Sequence, residues 1–251
     1  MKRLLALLTA LFCFFSTFAK AEDAPVFELR TYQAADGKLD ELVARFKNHT
    51  LGFFEKYGFS NVFYGIPAEN PDHLLIYLIS SPSLEAHKTN WAAFQADPEW
   101  LAAKASTEVN GKLVEKVDSL FLAPTDYSPA LKIESVSPPR QLELRTYTTN
   151  EGKLDGLDAR FRDHTIRLFE KYGITNVAYF HPLADQPGAS TTLVYFLLHA
   201  DDAARQASFK AFGQDPEWQS ARKASEEAGP LLIKGGVKSV PMTTTDYSPL
   251  R

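Results

Sequence analysis

Two histidines, His49 and His164, stand in matching surroundings 115 residues apart, each three positions after a phenylalanine. An imidazole there could act as a general base or as an axial metal ligand. It could equally be a partly buried structural group with one ring nitrogen bonded to a carbonyl. His49 follows Phe46 by three and precedes Phe53 by four, a spacing that predicts the inward stripe of a helix. Both are the catalytic candidates. Arg30 and Arg145 are the binding candidates, each flanked two residues away by a glutamate and a tyrosine: Glu28 and Tyr32, Glu143 and Tyr147. A guanidinium beside a phenol could hold a carboxylate or phenolate substrate. The other reading is that each Arg pairs with its Glu where the two halves meet, because buried charges need partners. Tyr64 and Tyr179 either line a pocket or fill the core. Trp91, Phe94 and Trp100 have the spacing of core packing. Nothing has the pattern of a zinc site, a Gly-rich phosphate loop or a Ser-His-Asp nucleophile, so neither a metal nor a cofactor is expected.

The elements that must carry these residues follow from hydrophobic period. Phe27 to Tyr32 alternates with period two, which predicts a strand with Glu28, Arg30 and Tyr32 on one face. After Gly37, the residues Leu39, Leu42, Val43, Phe46, Phe53, Phe54 and Tyr57 predict one amphipathic helix stopped at Gly58. Asn61–Ile66 and Leu74–Ile79 read as strands, the second so apolar that it belongs in mid-sheet with both faces covered. Ser83, with Asp201 as its counterpart, caps the next helical stretch, and Asp97-Pro98 reads as a cap followed by proline at the first helical position. Val114–Leu122 is the last strand.

That order, β-α-β-β-α-β, is written twice. Residues 26–67 align without gaps to 141–182 with 24 identities in 42 positions. Asp97-Pro98-Glu99-Trp100 recurs at 215–218, and Thr125-Asp126-Tyr127-Ser128-Pro129 at 245–249. The division is a first unit over 25–130, a Pro- and Ser-bearing linker over 131–140, and a second unit over 141–251. Each unit has the ferredoxin-like arrangement, an α+β fold whose sheet is covered by helices on one face only. The bare faces call for a partner. Duplication supplies it, with the two sheets packed face to face as an intramolecular dimeric α/β barrel.

Lys+Arg 27 against Asp+Glu 31 leaves a net charge of −4, too acidic for a nucleic-acid binder. Lys2 and Arg3, the apolar run 4–18 and Ala19-Lys20-Ala21 form a cleavable secretory signal over 1–21, too short for a bilayer span. The one cysteine, Cys13, lies inside it, so the mature chain has no thiol and no disulfide. A periplasmic or secreted protein without stable membrane insertion is the expectation.

The Glu-Leu-Arg-Thr-Tyr strand, Phe46-x-x-His49, Phe53-Phe54-Glu55-Lys56-Tyr57-Gly58 and Trp91-x-x-Phe94-x-x-Asp97-Pro98-Glu99-Trp100 together resemble the NIPSNAP family, within the dimeric α/β-barrel superfamily. Phe209 stands where the first unit has Trp91. The resemblance implies the fold, and an activity only loosely, since the superfamily holds cofactor-free monooxygenases, small aromatic-compound enzymes and haem proteins. Two readings stand. One is a binding or interaction module for a small hydrophobic or aromatic ligand. The other is a monooxygenase- or isomerase-like enzyme with His49 or His164 as base and Arg30 or Arg145 as anion clamp, a haem-binding form being a variant of it.

Overall fold

The structure, a computed structural model, describes residues 24–251, so the signal expected over 1–21 lies outside the described residues. The first half runs β1 (Val26–Ala34), α1 (Leu39–Arg45), α2 (Leu51–Lys56), β2 (Ser60–Pro67), β3 (Leu74–Ser81), α3 (Leu84–Ala96), α4 (Pro98–Thr107) and β4 (Val114–Pro124). The second half repeats it as β5 (Gln141–Thr149), α5 (Leu154–Arg160), α6 (Ile166–Lys171), β6 (Thr175–Pro182), β7 (Thr192–His199), α7 (Asp202–Gln214), α8 (Pro216–Ser225) and β8 (Leu232–Thr244).

The helix expected after Gly37 is interrupted by a π-helical turn, Phe46–Thr50, and its counterpart by Phe161–Thr165. A π turn absorbs one extra residue, so the inward stripe steps by four: Leu42, Phe46, Thr50 and Phe54 are buried. Gly58 ends α2 at φ +76°, a left-handed conformation that glycine adopts without strain, and Phe59 N donates back to Phe54 O at 2.9 Å. The expected caps are in place. Ser83 and Asp201 accept from the third residue of α3 and α7, while Asp97 and Asp215 each accept from two backbone N–H groups of α4 and α8.

The eight strands close into one barrel in the order β1-β3-β2-β8-β5-β7-β6-β4. The halves therefore join edge to edge as well as facing each other across the interior. Gly65–Pro67 of β2 pair with Met242–Thr244 of β8, and Leu122–Pro124 of β4 pair with Phe180–Pro182 of β6. Alternation sends Phe27 and Leu29, with Leu142 and Leu144, into a barrel core shared by both halves. Two further cores lie between each half's helices and its sheet, around Phe46, Phe54 and Tyr77, and around Phe161, Phe169 and Tyr195. The apolar β3 sits between β1 and β2, as expected, and contributes to the barrel core and to the helix-side core.

The repeated Thr-Asp-Tyr-Ser-Pro tails cross over. Thr245 N and Leu250 N donate to the β2 carbonyls of Tyr64 and Val62, and Ser248 Oγ accepts from Tyr64 N. Reciprocally, Thr125 N donates to Tyr179 O of β6, whose N–H donates to Ser128 Oγ. Each tail thus completes the other half.

Candidate functional site

Strand period puts Glu28, Arg30 and Tyr32 of β1, and Glu143, Arg145 and Tyr147 of β5, on the outer face of the barrel under the helices. Arg145 spends its donors on three neighbours: Nη1 on Glu143 (2.7 Å), Nη2 on the Tyr147 hydroxyl (3.1 Å) and Nε on the Tyr195 hydroxyl (2.9 Å). Tyr195 is its cross-strand partner on β7, and Ser239 lies opposite on β8 and donates to Glu143 Oε1 at 2.6 Å. In the first half Arg30 contacts Glu28 and Tyr32. The Arg-Glu pairing expected from the sequence is present, but it lies beneath the helices and not where the halves meet.

A histidine sits against each glutamate. His199 Nε2 is 2.8 Å from Glu143 Oε2, and His87 Nε2 is 3.1 Å from Glu28 Oε2. These histidines are not repeat equivalents. At the offset of 118, His199 at the end of β7 matches Ser81, and His87 on α3 matches Arg205. The two halves place the same group against the same carboxylate from different elements. The sequence search for identically placed histidines therefore missed them; the reciprocal exchange Ser81/His199 and His87/Arg205 was the available signal. Burial by itself would raise Glu143, which is fully buried. The hydrogen bond to His199, the charge of Arg145 and the Ser239 hydroxyl outweigh burial and hold the carboxyl below its ordinary range. Glu28 is lowered likewise, with His87, Arg30 and Ser119 overcoming burial.

His49 and His164 lie elsewhere. The π turn rotates each away from the inward stripe, where Thr50 and Thr165 take the buried place, and both histidines are half-buried, His164 bordering a recess between α5 and α8. The α-helical phase assumed from Phe46 and Phe53 is what misplaced them. Tyr64 and Tyr179 are fully buried, each donating to an asparagine, Asn61 or Asn176, and stacked on Tyr77 or Tyr195, so they fill core. Among the described residues no group of three or more His, Cys, Asp or Glu could hold a metal ion.

Arg145 and Tyr147 open instead onto a cavity of about 470 Å³ between the helices and sheet of the second half. Its walls are Phe161, Phe169, Phe209, Phe212 and Trp218, and Arg160, Arg222 and Glu226 stand at one end. The matching space in the first half, bounded by Tyr32, Arg45, Phe46, Thr50, Phe54, Phe94 and Trp100, is only about 30 Å³. Two differences open the second. Trp91, whose ring covers Arg30 at 4.3 Å, is replaced by the smaller Phe209, which covers Arg145 at 4.6 Å. The strand registers also show an insertion. Val114 and Val117 face Ala34 and Tyr32, whereas Leu232 and Val237 face Thr149 and Tyr147, so β8 carries two more residues and bulges at Gly235-Gly236. Gly235 has φ +74°, and a Cβ on Gly236 would lie 2.5 Å from Thr148 O, so neither position accepts a side chain without distortion. Arg30 and Tyr32 do not share one space. Arg30 borders a shallower recess of about 400 Å³ with His87 and Trp91, while Tyr32 borders the closed remnant.

A protein-family model described as NIPSNAP matches residues 27–129 and 142–249. No curated protein matches the chain significantly. Among solved structures, a protein of Lactobacillus acidophilus provisionally titled a monooxygenase is 11% identical. The match covers 88% of this chain and 94% of that one, with a TM-score of 0.56. An anthrone oxidase-like protein is 16% identical over 91% of this chain and 95% of its own, with a TM-score of 0.55. A NIPSNAP family protein of Agrobacterium tumefaciens, 23% identical, covers 42% of this chain and 97% of its own, with a TM-score of 0.38.

Proposed function

The chain belongs to the NIPSNAP family, and on that footing we propose that it is a binding module that holds one small apolar or aromatic molecule in the helix-sheet cavity of its second half. The observation that carries the reading is the difference between the halves: Arg145 and Tyr147 share one cavity of about 470 Å³, whereas Tyr32 borders only about 30 Å³ and Arg30 a separate, open recess. A volume of that size, apolar with a few converging polar groups, is what small-molecule sites have in common.

The polar groups of the cavity support holding rather than turnover. Arg145 is matched by Glu143, the Tyr147 hydroxyl accepts from Arg145, and Thr165 Oγ1 donates to Arg160 O at 3.1 Å. Glu226 is paired with Arg160. None of the lining side chains is a histidine, and no carboxylate there is free to act as a base.

Phe209→Trp restores the first half's residue and fills the space. In a screen of small aromatic compounds by calorimetry, the unaltered chain is expected to bind one molecule per chain. The variant should lose at least about tenfold in affinity while its melting temperature stays level or rises, since filling a cavity does not weaken a core. Binding that survives Phe209→Trp unchanged would refute the site. A chain that binds nothing in the screen would refute the module.

A further inference from the structure

Charge is not balanced evenly through the cavity. At the Arg145 end Glu143 is met by Arg145 at 2.7 Å and by Arg205 at 3.9 Å, and Arg205 has Asp202 as a second partner at 2.8 Å, so two guanidinium groups face two carboxylates and the charges balance. At the other end two guanidinium groups share one carboxylate: Arg160 Nη1 lies 3.0 Å from Glu226 Oε1, and Arg222 Nε lies 3.5 Å from Glu226 Oε2. One positive charge is left over there. Arg160 has a side chain only 3% exposed and a buried Nε that donates to nothing in the protein, while Arg222, 63% exposed, stands at the rim. A buried charged donor without an acceptor is costly to keep, and an anion entering past Arg222 relieves it. The face of Trp218 lies 5.3 Å from the Arg160 guanidinium, and Phe212 lies 4.4 Å from Trp218. Apolar, flat walls thus begin directly beside the unpartnered donor.

Resting on the binding reading above, we infer that the ligand is a small aromatic carboxylate, its acid group between Arg160 and Arg222 and its ring among Phe169, Phe209 and Phe212. One negative charge cancels the surplus; a dianion would leave an uncompensated charge in an apolar space. A planar carboxylate matches the guanidinium fork, and edge-to-face or offset contacts with the phenylalanines hold the ring. The first half carries the same charge device without the room. Arg45 pairs with Glu108 at 2.6 Å and has an unpartnered Nε of its own, and Lys104 stands where the second half has Arg222. The space beside it, about 30 Å³, is smaller than one aromatic ring. The chain therefore takes one such acid.

Calorimetry on the intact chain with 1-naphthoate and, as a neutral shape match, 1-naphthalenemethanol tests this. The expected result is one naphthoate per chain, bound at least about tenfold more tightly than the alcohol, with the advantage shrinking as salt is raised. Arg222→Gln, on an exposed side chain, is expected to remove about tenfold of the naphthoate affinity and leave the alcohol unchanged. Lys104→Gln, its first-half counterpart, should change neither. If the alcohol binds as tightly as the acid, or Arg222→Gln weakens both alike, while Phe209→Trp still abolishes binding, the carboxylate inference falls and the binding module stands. If two naphthoates bind per chain with equal affinity, the one-sided site falls. If neither probe binds and the aromatic screen is also empty, both readings fall together.

Discussion

At the scale of single residues, the most constrained group is Glu143. It is fully buried and receives His199, Arg145 and Ser239 at 2.8, 2.7 and 2.6 Å. Because its folded-state carboxyl titrates below the ordinary range, as does that of Glu28, their stabilisation is complete above the unfolded value and is lost progressively as pH falls from there through the lower folded-state value. Asp97 and Asp215 act in the same direction. Each is lowered first by a lysine, Lys56 or Lys171, and then by a tyrosine, Tyr57 or Tyr172. The melting temperature is thus expected to be level from neutral pH down to about 5 and to fall below about 4.5. Glu143→Gln should cost about 3–5 kcal/mol near neutrality by leaving Arg145 without its counter-charge, and its acid limb should be shallower. Denaturant melts at pH 7 and pH 4 check both. An equally steep acid limb in the variant would place the acid-sensitive groups elsewhere. The pairing of Arg145 with Glu143 could be read from residues two apart on one strand. The histidines could not be read so directly, because each half recruits its own from a different element, and a search for repeated positions passes over exactly this kind of substitution by exchange.

At the scale of elements, the π turns decide which side chains look inward. One surplus residue in each first helix lets Leu42, Phe46 and Phe54 share a face, and the same adjustment carries the half-buried His49 off that face. Deleting His49 should convert the turn to regular α-helix while keeping both flanking stripes in register, because Thr50 and Phe54 would then follow Phe46 by three and seven places, which is α-helical spacing. The expected outcome is a folded protein with unchanged circular dichroism and a melting temperature within a few degrees. Cooperative unfolding lost on deletion would show that the turn is needed as such. The succession of strands and helices along the chain, the caps at Ser83, Asp97 and Asp201, and the stop at Gly58 were legible in the sequence, since each depends on a local preference or on hydrophobic period. The cavity was not. It depends on two extra residues in β8 opposite Tyr147 and on Phe209 standing in for Trp91. The exchange Trp91/Phe209 is visible in the aligned halves, yet the space it helps to open exists only once helices and sheet are packed.

At the scale of the whole molecule, the halves depend on each other through the crossed tails. Leu250 is almost wholly buried in the barrel core, and Ser248, Thr245 and Leu250 hydrogen-bond to β2 of the first half. Removing 245–251 should strip those partners from Val62 and Tyr64 and uncover apolar surface on the far half. Losing a buried leucine and several buried hydrogen bonds costs at least about 3 kcal/mol. Chemical denaturation of the truncated chain, expected to show a lower midpoint and binding of a hydrophobic dye, checks this; an unchanged midpoint would show the tail to be ornamental. The face-to-face pairing of two open sheets was legible from the repeat and the bare faces it implies, whereas the exchange of tails was not, because identical Thr-Asp-Tyr-Ser-Pro motifs fit either sheet equally well. The crossing also has a temporal side. The barrel's last seam, between β2 and β8, needs the strand that is made after all the others described, so the first half stays unsealed along its β2 edge until 242–244 have been synthesised.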